Sequence, residues 1–215
     1  MRVRAVIFDL WDTLVEWPAA EGARLVELLA GLASLTPSEI ETRLRACYRA
    51  LQTRPLAEVY KEFGIPDDRV PAALAAHHEL ARRNLRLRAG AGEALTRLRV
   101  RGLKLGLITV CSEDVPAAWA TTDLAGRFDV ETFSSVCGLM KPEPEIYLRT
   151  TRALGVEPDE CLFVGDGAND ELGGAERVGI RPVLFAPAGT TPRWPEVSNW
   201  NGMRVSSIEE VLGLC

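Results

Sequence analysis

The chain has 215 residues, 47% of them hydrophobic, and a formal net charge of −5 at pH 7. This composition is sufficient for a sizeable core and excludes global disorder, and the negative charge argues against a protein that binds nucleic acid through a basic surface. No apolar stretch approaches the roughly 18–20 residues of a membrane span. From the charge and from this observation together, we expect neither nucleic acid nor a membrane as a partner.

The first dozen residues contain the strongest local signal. A short run rich in Val and Ile, residues 3–8, predicts a buried strand that ends at the carboxylate of Asp9. In an open α/β sheet, ligands bind beyond the carboxyl ends of the strands, so Asp9 stands where chemistry is expected. On this stretch alone, an ordinary Asp-Thr turn after an N-terminal strand is the alternative.

A long helical segment follows. Leucines at helical spacing predict a helix over residues 19–33, and Thr36 with Glu39 forms a capping box for a helix that runs towards Arg54. Shorter helices are expected at residues 56–63 and 71–85. Because this insertion is too long for an ordinary crossover, we predict a helical cap domain at residues 16–85, inserted into a core of residues 1–15 and 86–215.

The remainder of the chain alternates between strands and helices. Strands are predicted at residues 103–109, 130–133, 161–164, 182–185 and near 205. Helices are predicted at residues 92–101, near 115–124, at 145–154, after the strand at 161–164 through Ala175, and after Ser207. Such alternation favours a parallel sheet covered on both faces. The expected fold is therefore α/β, a doubly wound (Rossmann-like) parallel sheet with a small all-helical cap inserted after its first strand.

Four polar clusters follow the predicted strands. Asp9 ends the first strand and Thr109 the second, Lys141 lies in Gly-Leu-Met-Lys-Pro-Glu-Pro, and Asp166 lies in Val-Gly-Asp-Gly-Ala-Asn-Asp-Glu. Together and in this order they resemble the motifs of the haloacid dehalogenase (HAD) superfamily of hydrolases. Residues 141–179 are the most specific part of the match, and the inserted helices are similar to that superfamily's helical cap of the first type (C1).

The resemblance implies a Mg²⁺ site. In it, the carboxylates of Asp9 and Asp166 and the main-chain carbonyl of Trp11 bind the ion, and Asp170 holds metal-bound water, with Glu171 as the runner-up for that role. Mg²⁺ is a hard ion that binds well to one or two carboxylates together with waters and a phosphate oxygen, so the donor types are appropriate.

The resemblance also implies covalent catalysis on a phosphorylated substrate. Asp9 is the nucleophile, which becomes an aspartyl-phosphate, and Thr109 and Lys141 bind the oxygens of the transferred phosphoryl group. Lys141 also neutralises Asp9. A carboxylate that attacks an anionic substrate needs such cations to offset the accumulating negative charge.

The chain departs from the motif at two positions. The phosphatases of the superfamily carry a second Asp two residues after the nucleophile, as general acid and base; here that position is Trp11, and Asp12 follows one place later, where glycine is usual. General acid–base help contributes about 10²–10⁴-fold, so its loss matters unless the leaving group is already activated. Asp12, the cap or water are the candidate sources of the proton. In the substrate-binding position after Thr109, Val110 replaces a common asparagine.

These residues leave three functions open. The preferred one is a Mg²⁺-dependent hydrolase, a phosphatase of a small phosphorylated metabolite that works through Asp9. The second is a metal-independent 2-haloacid dehalogenase, because those enzymes carry an aromatic residue at the position of Trp11; they also have a serine where this chain has Asp166. The third is a catalytically weak phosphate-binding or phospho-acceptor module.

The remaining residues read as structural. Five cysteines, an odd number without CxxC spacing, indicate reduced thiols, and no signal peptide is visible, so we expect a cytoplasmic protein. Four tryptophans read as packing residues or loop anchors: Trp17, Trp119, Trp194 and Trp200. The expected partner is a small phosphorylated or halogenated molecule, and the expected assembly is a monomer or a homodimer.

Overall fold

The computed structural model describes residues 2–191 and 193–215. Its strands are β1 (Ala5–Phe8), β2 (Lys104–Thr109), β3 (Val130–Phe133), β4 (Cys161–Gly165), β5 (Arg181–Phe185) and β6 (Met203–Val205). Its helices are α1 (Ala19–Ala33), α2 (Pro37–Ala46), α3 (Tyr48–Thr53), α4 (Leu56–Glu62), α5 (Val70–Asn84), α6 (Ala91–Val100), α7 (Asp114–Trp119), α8 (Ser134–Cys137), α9 (Pro144–Leu154) and α10 (Glu171–Arg177). Short 3₁₀ segments occur between several of these elements, and a longer one, Glu209–Leu214, follows β6.

The strands form one parallel sheet in the order β3-β2-β1-β4-β5-β6. The central strand β1 is buried along its whole length, and its side chains alternate between two hydrophobic clusters. Val6 and Phe8 join one cluster, whereas Ala5 and Ile7 join the other. The strand is apolar throughout because both faces of the sheet are covered, and the predicted doubly wound α/β fold is confirmed.

Helices cover the two faces of the sheet. On one face α6 packs through Leu95 and Leu98, together with the 3₁₀ segment Glu209–Leu214. On the other face α9 and α10 pack through residues such as Tyr147 and Leu172. Connections that alternate between faces leave the carboxyl ends of β1, β2 and β4 open at one edge of the sheet, where the polar clusters follow.

Helices α1 to α5 are inserted between β1 and β2 and have a hydrophobic cluster of their own, which includes Leu29, Ile40, Tyr60 and Phe63. This separate cluster supports the division into a core and a cap at residues 16–85, which stays a prediction. The carboxyl end of α5 packs against the core, since Ala81 is part of the hydrophobic cluster that covers the sheet.

The inserted helices begin as predicted but divide differently. Thr36 and Glu39 form the expected capping box. The prediction of one helix towards Arg54 is wrong, because Cys47 (φ −102°, ψ 16°) separates α2 from α3. After this break α3 lies against α8, where Ser134 Oγ donates a hydrogen bond to the carbonyl oxygen of Gln52. A tertiary contact thus overrides the helical pattern of the sequence.

Two predicted helices are shorter or tighter than expected. Helix α7 ends at Trp119 because the hydroxyls of Thr121 and Thr122 bond to main-chain carbonyls of the preceding turn and compete with helix continuation. The segment after Ser207 is a 3₁₀ helix rather than an α-helix. The predicted strand at residues 130–133 is confirmed.

All five cysteines are free thiols in the structure. Burial raises the pKa of Cys111 far above its ordinary value and that of Cys161 to about 12. The reactive form of cysteine is the thiolate, so neither side chain is suited to nucleophilic chemistry at neutral pH. Within the described ranges, no helix has both the length and the apolar character that crossing a bilayer demands.

Candidate active site

Two acids that are far apart in sequence meet at the carboxyl edge of the sheet. β1 and β4 are neighbours in register, with Phe8 opposite Val164, and the main-chain N–H of Asp9 donates to the carbonyl of Val164 at 2.9 Å. Asp9 and Asp166 therefore leave adjacent strands at the same level. Oxygen atoms of these two carboxylates and of Glu171 all lie within 4.8 Å of one another.

Lys141 bridges two of these acids, Asp9 and Glu171. Its Nζ is 2.5 Å from Asp9 Oδ1 and also donates a hydrogen bond to Glu171 Oε2, and only 4% of its side chain is exposed. Burial opposes the charged form of Lys141. The carboxylates of Asp9 and Glu171 outweigh this effect and hold the pKa of the lysine above its ordinary value. The ammonium is thus charged and shared between two acids.

The backbone around Lys141 is held by a close contact with α10. A Cβ added at Gly174 would lie 3.0 Å from Pro142 Cα and 2.6 Å from the hydroxyl of Tyr147, so only glycine allows this approach. The hydroxyl of Tyr147 donates to the main-chain carbonyl of Glu171. These contacts join the loop that carries Lys141 to α10, which begins at Glu171.

Glu171, and not Asp170, joins the cluster. The carboxylate of Glu171 is fully buried and accepts hydrogen bonds from Lys141 and from the main-chain N–H of Gly167. Asp170 has a left-handed backbone (φ 56°) that turns its side chain outwards, where it accepts a hydrogen bond from Arg177 at 2.8 Å. The residue named first for the water-holding role therefore lies outside the cluster, and the runner-up lies within it.

Asp166 is held by a residue that sequence reasoning treated as packing. Trp194 Nε1 donates to Asp166 Oδ2 at 2.5 Å, and the main-chain N–H of Ala168 donates to Oδ1 at 3.1 Å. Trp194 lies in the loop after β5, the next strand of the sheet. The sequence offered one signal for Trp194, its position beyond the end of a predicted strand. It offered no chemical signal, because an indole is not a typical residue of a catalytic site.

The cluster carries more negative than positive charge. Burial and then the charge of Asp9 raise the pKa of Asp166 to about 6, and the same two causes raise the pKa of Glu171 well above its usual range. The raised pKa values reflect three acids crowded together with one ammonium, which pairs with Asp9 and Glu171. A set of converging oxygen donors with excess negative charge fits a hard divalent cation, and Asp9, Asp166 and Glu171 are the acids that could hold one. Trp11 belongs to the loop that follows Asp9.

Thr109 and Val110 lie at the end of the neighbouring strand β2. Thr109 is fully buried, and its hydroxyl has no hydrogen-bond partner among the described residues. An unpaired buried hydroxyl is costly and indicates a partner that the chain itself does not supply. Val110 lines the cleft above the acids.

Trp11 and Asp12 form a turn at the edge of the cleft. The Trp11 ring packs edge to face against Trp17, with ring centroids 5.2 Å apart. Asp12 adopts a left-handed backbone (φ 57°), its Oδ1 accepts a hydrogen bond from the main-chain N–H of Trp17, and its Oδ2 lies 3.3 Å from Arg193. Asp12 therefore stabilises the turn while its side chain lines the cleft.

The cleft has a volume of about 630 Å³ and lies between the strand ends and the inserted helices. Both parts of the chain contribute to its wall, and they touch above the acids: Asn169 Nδ2 donates to the hydroxyl of Tyr48 on α3 at 3.3 Å. Tyr48 and Asn169 were not expected in the site. Neither residue carries a chemical signal that distinguishes it from an ordinary helix or turn residue.

A chain of hydrogen bonds joins α5 to the start of α7 at another point of the cleft. Ser112 Oγ donates to Asp114 at 2.5 Å, so its oxygen can accept from His77 Nε2, which lies 3.3 Å away. The other ring nitrogen then accepts from the hydroxyl of Tyr60. Burial lowers the pKa of His77, and this arrangement needs only its neutral form.

The protein has a Rossmann-like α/β fold with a carboxylate-rich cluster at the carboxyl edge of its sheet. A profile of the haloacid dehalogenase-like hydrolases matches residues 3–179, and the chain belongs to this family of hydrolases. The resemblance drawn from the sequence motifs is thereby confirmed.

Two relatives and one solved structure illustrate the similarity. A glyceraldehyde 3-phosphate phosphatase of Methanopyrus kandleri is 30% identical over 203 residues, which cover 84% of this chain and 83% of the relative. A phosphoserine phosphatase of Thermus thermophilus is 30% identical over 211 residues, covering 98% of this chain and 83% of the relative. The crystal structure of a HAD phosphatase from Thermococcus onnurineus has a TM-score of 0.71 at 23% identity, covers 100% of this chain and 97% of that one, and shares the fold.

We expect Lys141→Met to lower the free energy of unfolding by about 3–5 kcal/mol, because the change leaves two buried carboxylates without their shared cation. Urea denaturation at pH 7 measures this loss. Lys61→Met is the matched control: Lys61 is 53% exposed and lies 3.2 Å from Asp67, and such a surface pair contributes about 0–1 kcal/mol. Equal losses in the two variants would contradict a structural role for the buried ammonium.

Proposed function

We propose that the protein is a Mg²⁺-dependent phosphatase that hydrolyses a small phosphate monoester through an aspartyl-phosphate at Asp9. The convergence of the Asp9, Asp166 and Glu171 carboxylates, with the buried Lys141 paired to Asp9 and Glu171, carries this proposal. Membership of a hydrolase family and relatives that are named as phosphatases support it.

The proposed reaction has two steps at Asp9. First, a carboxylate oxygen of Asp9 bonds to phosphorus while the ester P–O bond breaks and the alcohol oxygen leaves with the electron pair. Water then attacks the phosphorus of the aspartyl-phosphate, which restores the carboxylate and releases phosphate. Lys141, 2.5 Å from Asp9 Oδ1, offsets negative charge as the anionic phosphoryl group approaches, and the unpaired hydroxyl of Thr109 is available to donate to a phosphoryl oxygen.

The proposed ligands of the cation are Asp9, Asp166 and the main-chain carbonyl of Trp11. We assign the nearby role of holding metal-bound water to Glu171 in preference to Asp170, because only Glu171 lies in the cluster. A bound Mg²⁺ would supply further positive charge against the phosphoryl oxygens. Lys141 alone balances only one of the three carboxylates.

Trp11 has no acidic group that could protonate the leaving group. Asp12 lines the cleft directly after Trp11, and we propose that it protonates leaving groups that are poor. A leaving group that is already stable as an anion would need no such help. Val110, next to Thr109, would contact the substrate through its methyl groups.

The direct test is turnover of p-nitrophenyl phosphate in the presence of Mg²⁺. We expect Asp9→Asn to reduce it to background, because an amide is a poor nucleophile, and we expect excess EDTA to abolish the activity of the wild type. Asp159→Asn, in the exposed turn before β4, is the matched control and keeps full activity. Turnover that survives in Asp9→Asn, or that persists in EDTA, would refute the proposal.

A second experiment separates Glu171 from Asp170. We expect Glu171→Gln to weaken Mg²⁺ binding by roughly 10–100-fold, as is usual when a group that orients metal ligands is lost. Asp170→Asn should leave binding unchanged because that carboxylate pairs with Arg177. The Mg²⁺ dependence of the melting temperature measures both, since a ligand of the folded state raises it. A larger loss in Asp170→Asn would reverse the assignment.

A third experiment tests Asp12. We expect Asp12→Asn to lower kcat for an alkyl phosphate by about 10²–10⁴-fold, the usual contribution of a general acid. The same variant should hydrolyse p-nitrophenyl phosphate nearly as fast as the wild type, because p-nitrophenolate leaves without a proton. Equal effects on the two substrates would show that Asp12 acts only through the turn that it forms with Trp17.

Trp11 favours one competing function, metal-independent dehalogenation of a 2-haloacid. The acids Asp166 and Glu171 weigh against it, because attack on carbon with halide release needs no cation. Halide release from 2-chloropropionate, measured in EDTA, decides between the two, and we expect none.

We also propose a cytoplasmic location and a monomeric or homodimeric state. The five free cysteines support a reducing environment. Fractionation of the source cells tests the location, and light scattering on the purified chain distinguishes a monomer from a dimer.

A further inference from the structure

We propose that the substrate is a phosphate monoester of an aromatic alcohol, an aryl phosphate, whose ring packs against an apolar wall of the cleft. This inference rests on the proposed phosphatase function and specifies its substrate class. It follows from the lining of the cleft, from the pairing of the charged groups there, and from Trp11 at the position where the phosphatases of the superfamily carry an acid.

The apolar wall consists of one face of α1 and two tryptophan rings. Gly22, Leu25, Val26 and Leu29 follow one another at helical spacing and line the cleft. The Trp17 ring lies against Gly22, because a Cβ added there would be 3.2 Å from Trp17 Cζ2.

The wall continues to the acidic cluster. Trp17 packs edge to face against Trp11, and Trp11 is two residues from Asp9. A group attached to a phosphate that binds near Asp9 and Lys141 therefore lies beside aromatic rings and aliphatic side chains. Rings pack favourably on such a surface through edge-to-face and apolar contacts.

The cleft has few cations for a second anionic group. The two arginines that line it are largely exposed, with 71% of the Arg45 side chain and 62% of the Arg193 side chain accessible, and each lies near an acid. Lys141 is already shared by Asp9 and Glu171. A substrate that carries a carboxylate beside its phosphate would thus find, among the described lining residues, no buried cation free to pair with it.

The chemistry of the leaving group agrees with this wall. A phenol loses its proton near pH 10, about the value of a tyrosine side chain, and so leaves far more easily than an aliphatic alkoxide. In the first step the Asp9–phosphorus bond forms while the P–O(aryl) bond breaks, and the aryloxide departs with the electron pair and takes a proton from water. Trp11 in place of an acid does not hinder this reaction.

The test compares two inert phosphonates with the Mg²⁺-loaded wild-type protein. Phenylphosphonate carries a ring, and phosphonoacetate carries a carboxylate of similar reach. Calorimetry should give at least tenfold tighter binding of phenylphosphonate. In parallel, kcat/KM for phenyl phosphate should exceed that for phosphoserine by at least tenfold.

Two leucines of α1 provide a matched pair of variants. Leu25 lines the cleft, whereas Leu28, three residues later on the same helix, is 42% exposed and is not among the residues that line it. Leu25→Gln should weaken phenylphosphonate binding at least fivefold and leave phosphonoacetate binding unchanged, and Leu28→Gln should change neither. If Leu25→Gln fails to fold, Val26→Thr, a nearly isosteric change on the same wall, should weaken phenylphosphonate binding at least twofold.

The outcomes separate this inference from the function on which it rests. If phosphonoacetate binds as tightly as phenylphosphonate, or phosphoserine is the better substrate while Asp9→Asn abolishes turnover, the aryl assignment is overturned and the phosphatase proposal stands. If no phosphate ester is hydrolysed in the presence of Mg²⁺, the phosphatase proposal fails and the aryl assignment fails with it.

Discussion

The site depends on one buried interaction, the contact of the Lys141 ammonium with the carboxylates of Asp9 and Glu171. Removing these groups from water costs several kcal/mol for each ion, so the arrangement persists only because the charges and hydrogen bonds compensate one another. Lys141 reaches the cluster from the loop before α9, Asp9 from β1 and Glu171 from α10. The contact that places the charged groups of the candidate site also joins three parts of the core.

The parallel sheet brings these groups into range. β1 is central, with β2 on one side and β4 on the other, so the ends of three strands deliver Asp9, Thr109 and Asp166 to one edge. Lys141 is the exception, since it follows β3 only after α8 and a loop. Its position is fixed instead by the close approach of Gly174 to Pro142. Strand order therefore positions Asp9, Thr109 and Asp166. The contact of Gly174 with Pro142 positions Lys141.

Much of the fold was predictable because the strands are short apolar runs and the capping box of Thr36 is an explicit signal. The choice between Asp170 and Glu171 was not predictable, because it depends on a left-handed backbone at Asp170 and on the space left by the missing side chain of Gly165. The break at Cys47 depends on a contact between α3 and α8. The role of Trp194 depends on where the loop after β5 returns. Each of these is a tertiary effect that local pattern does not encode.

The two departures from the family motif point in one direction when they are taken with the cleft. Trp11 removes an acid and adds an aromatic surface, and Val110 removes a polar group and adds an aliphatic one. Both changes make the substrate side of the cleft less polar, while the acidic cluster beneath it keeps all of its charge. Under the proposed function, the position two residues after Asp9 then offers no proton, so a difficult leaving group depends on Asp12, and the cleft gains apolar surface for binding. Under this proposal, leaving-group chemistry and binding surface are coupled through Trp11, and Val110 extends the apolar surface.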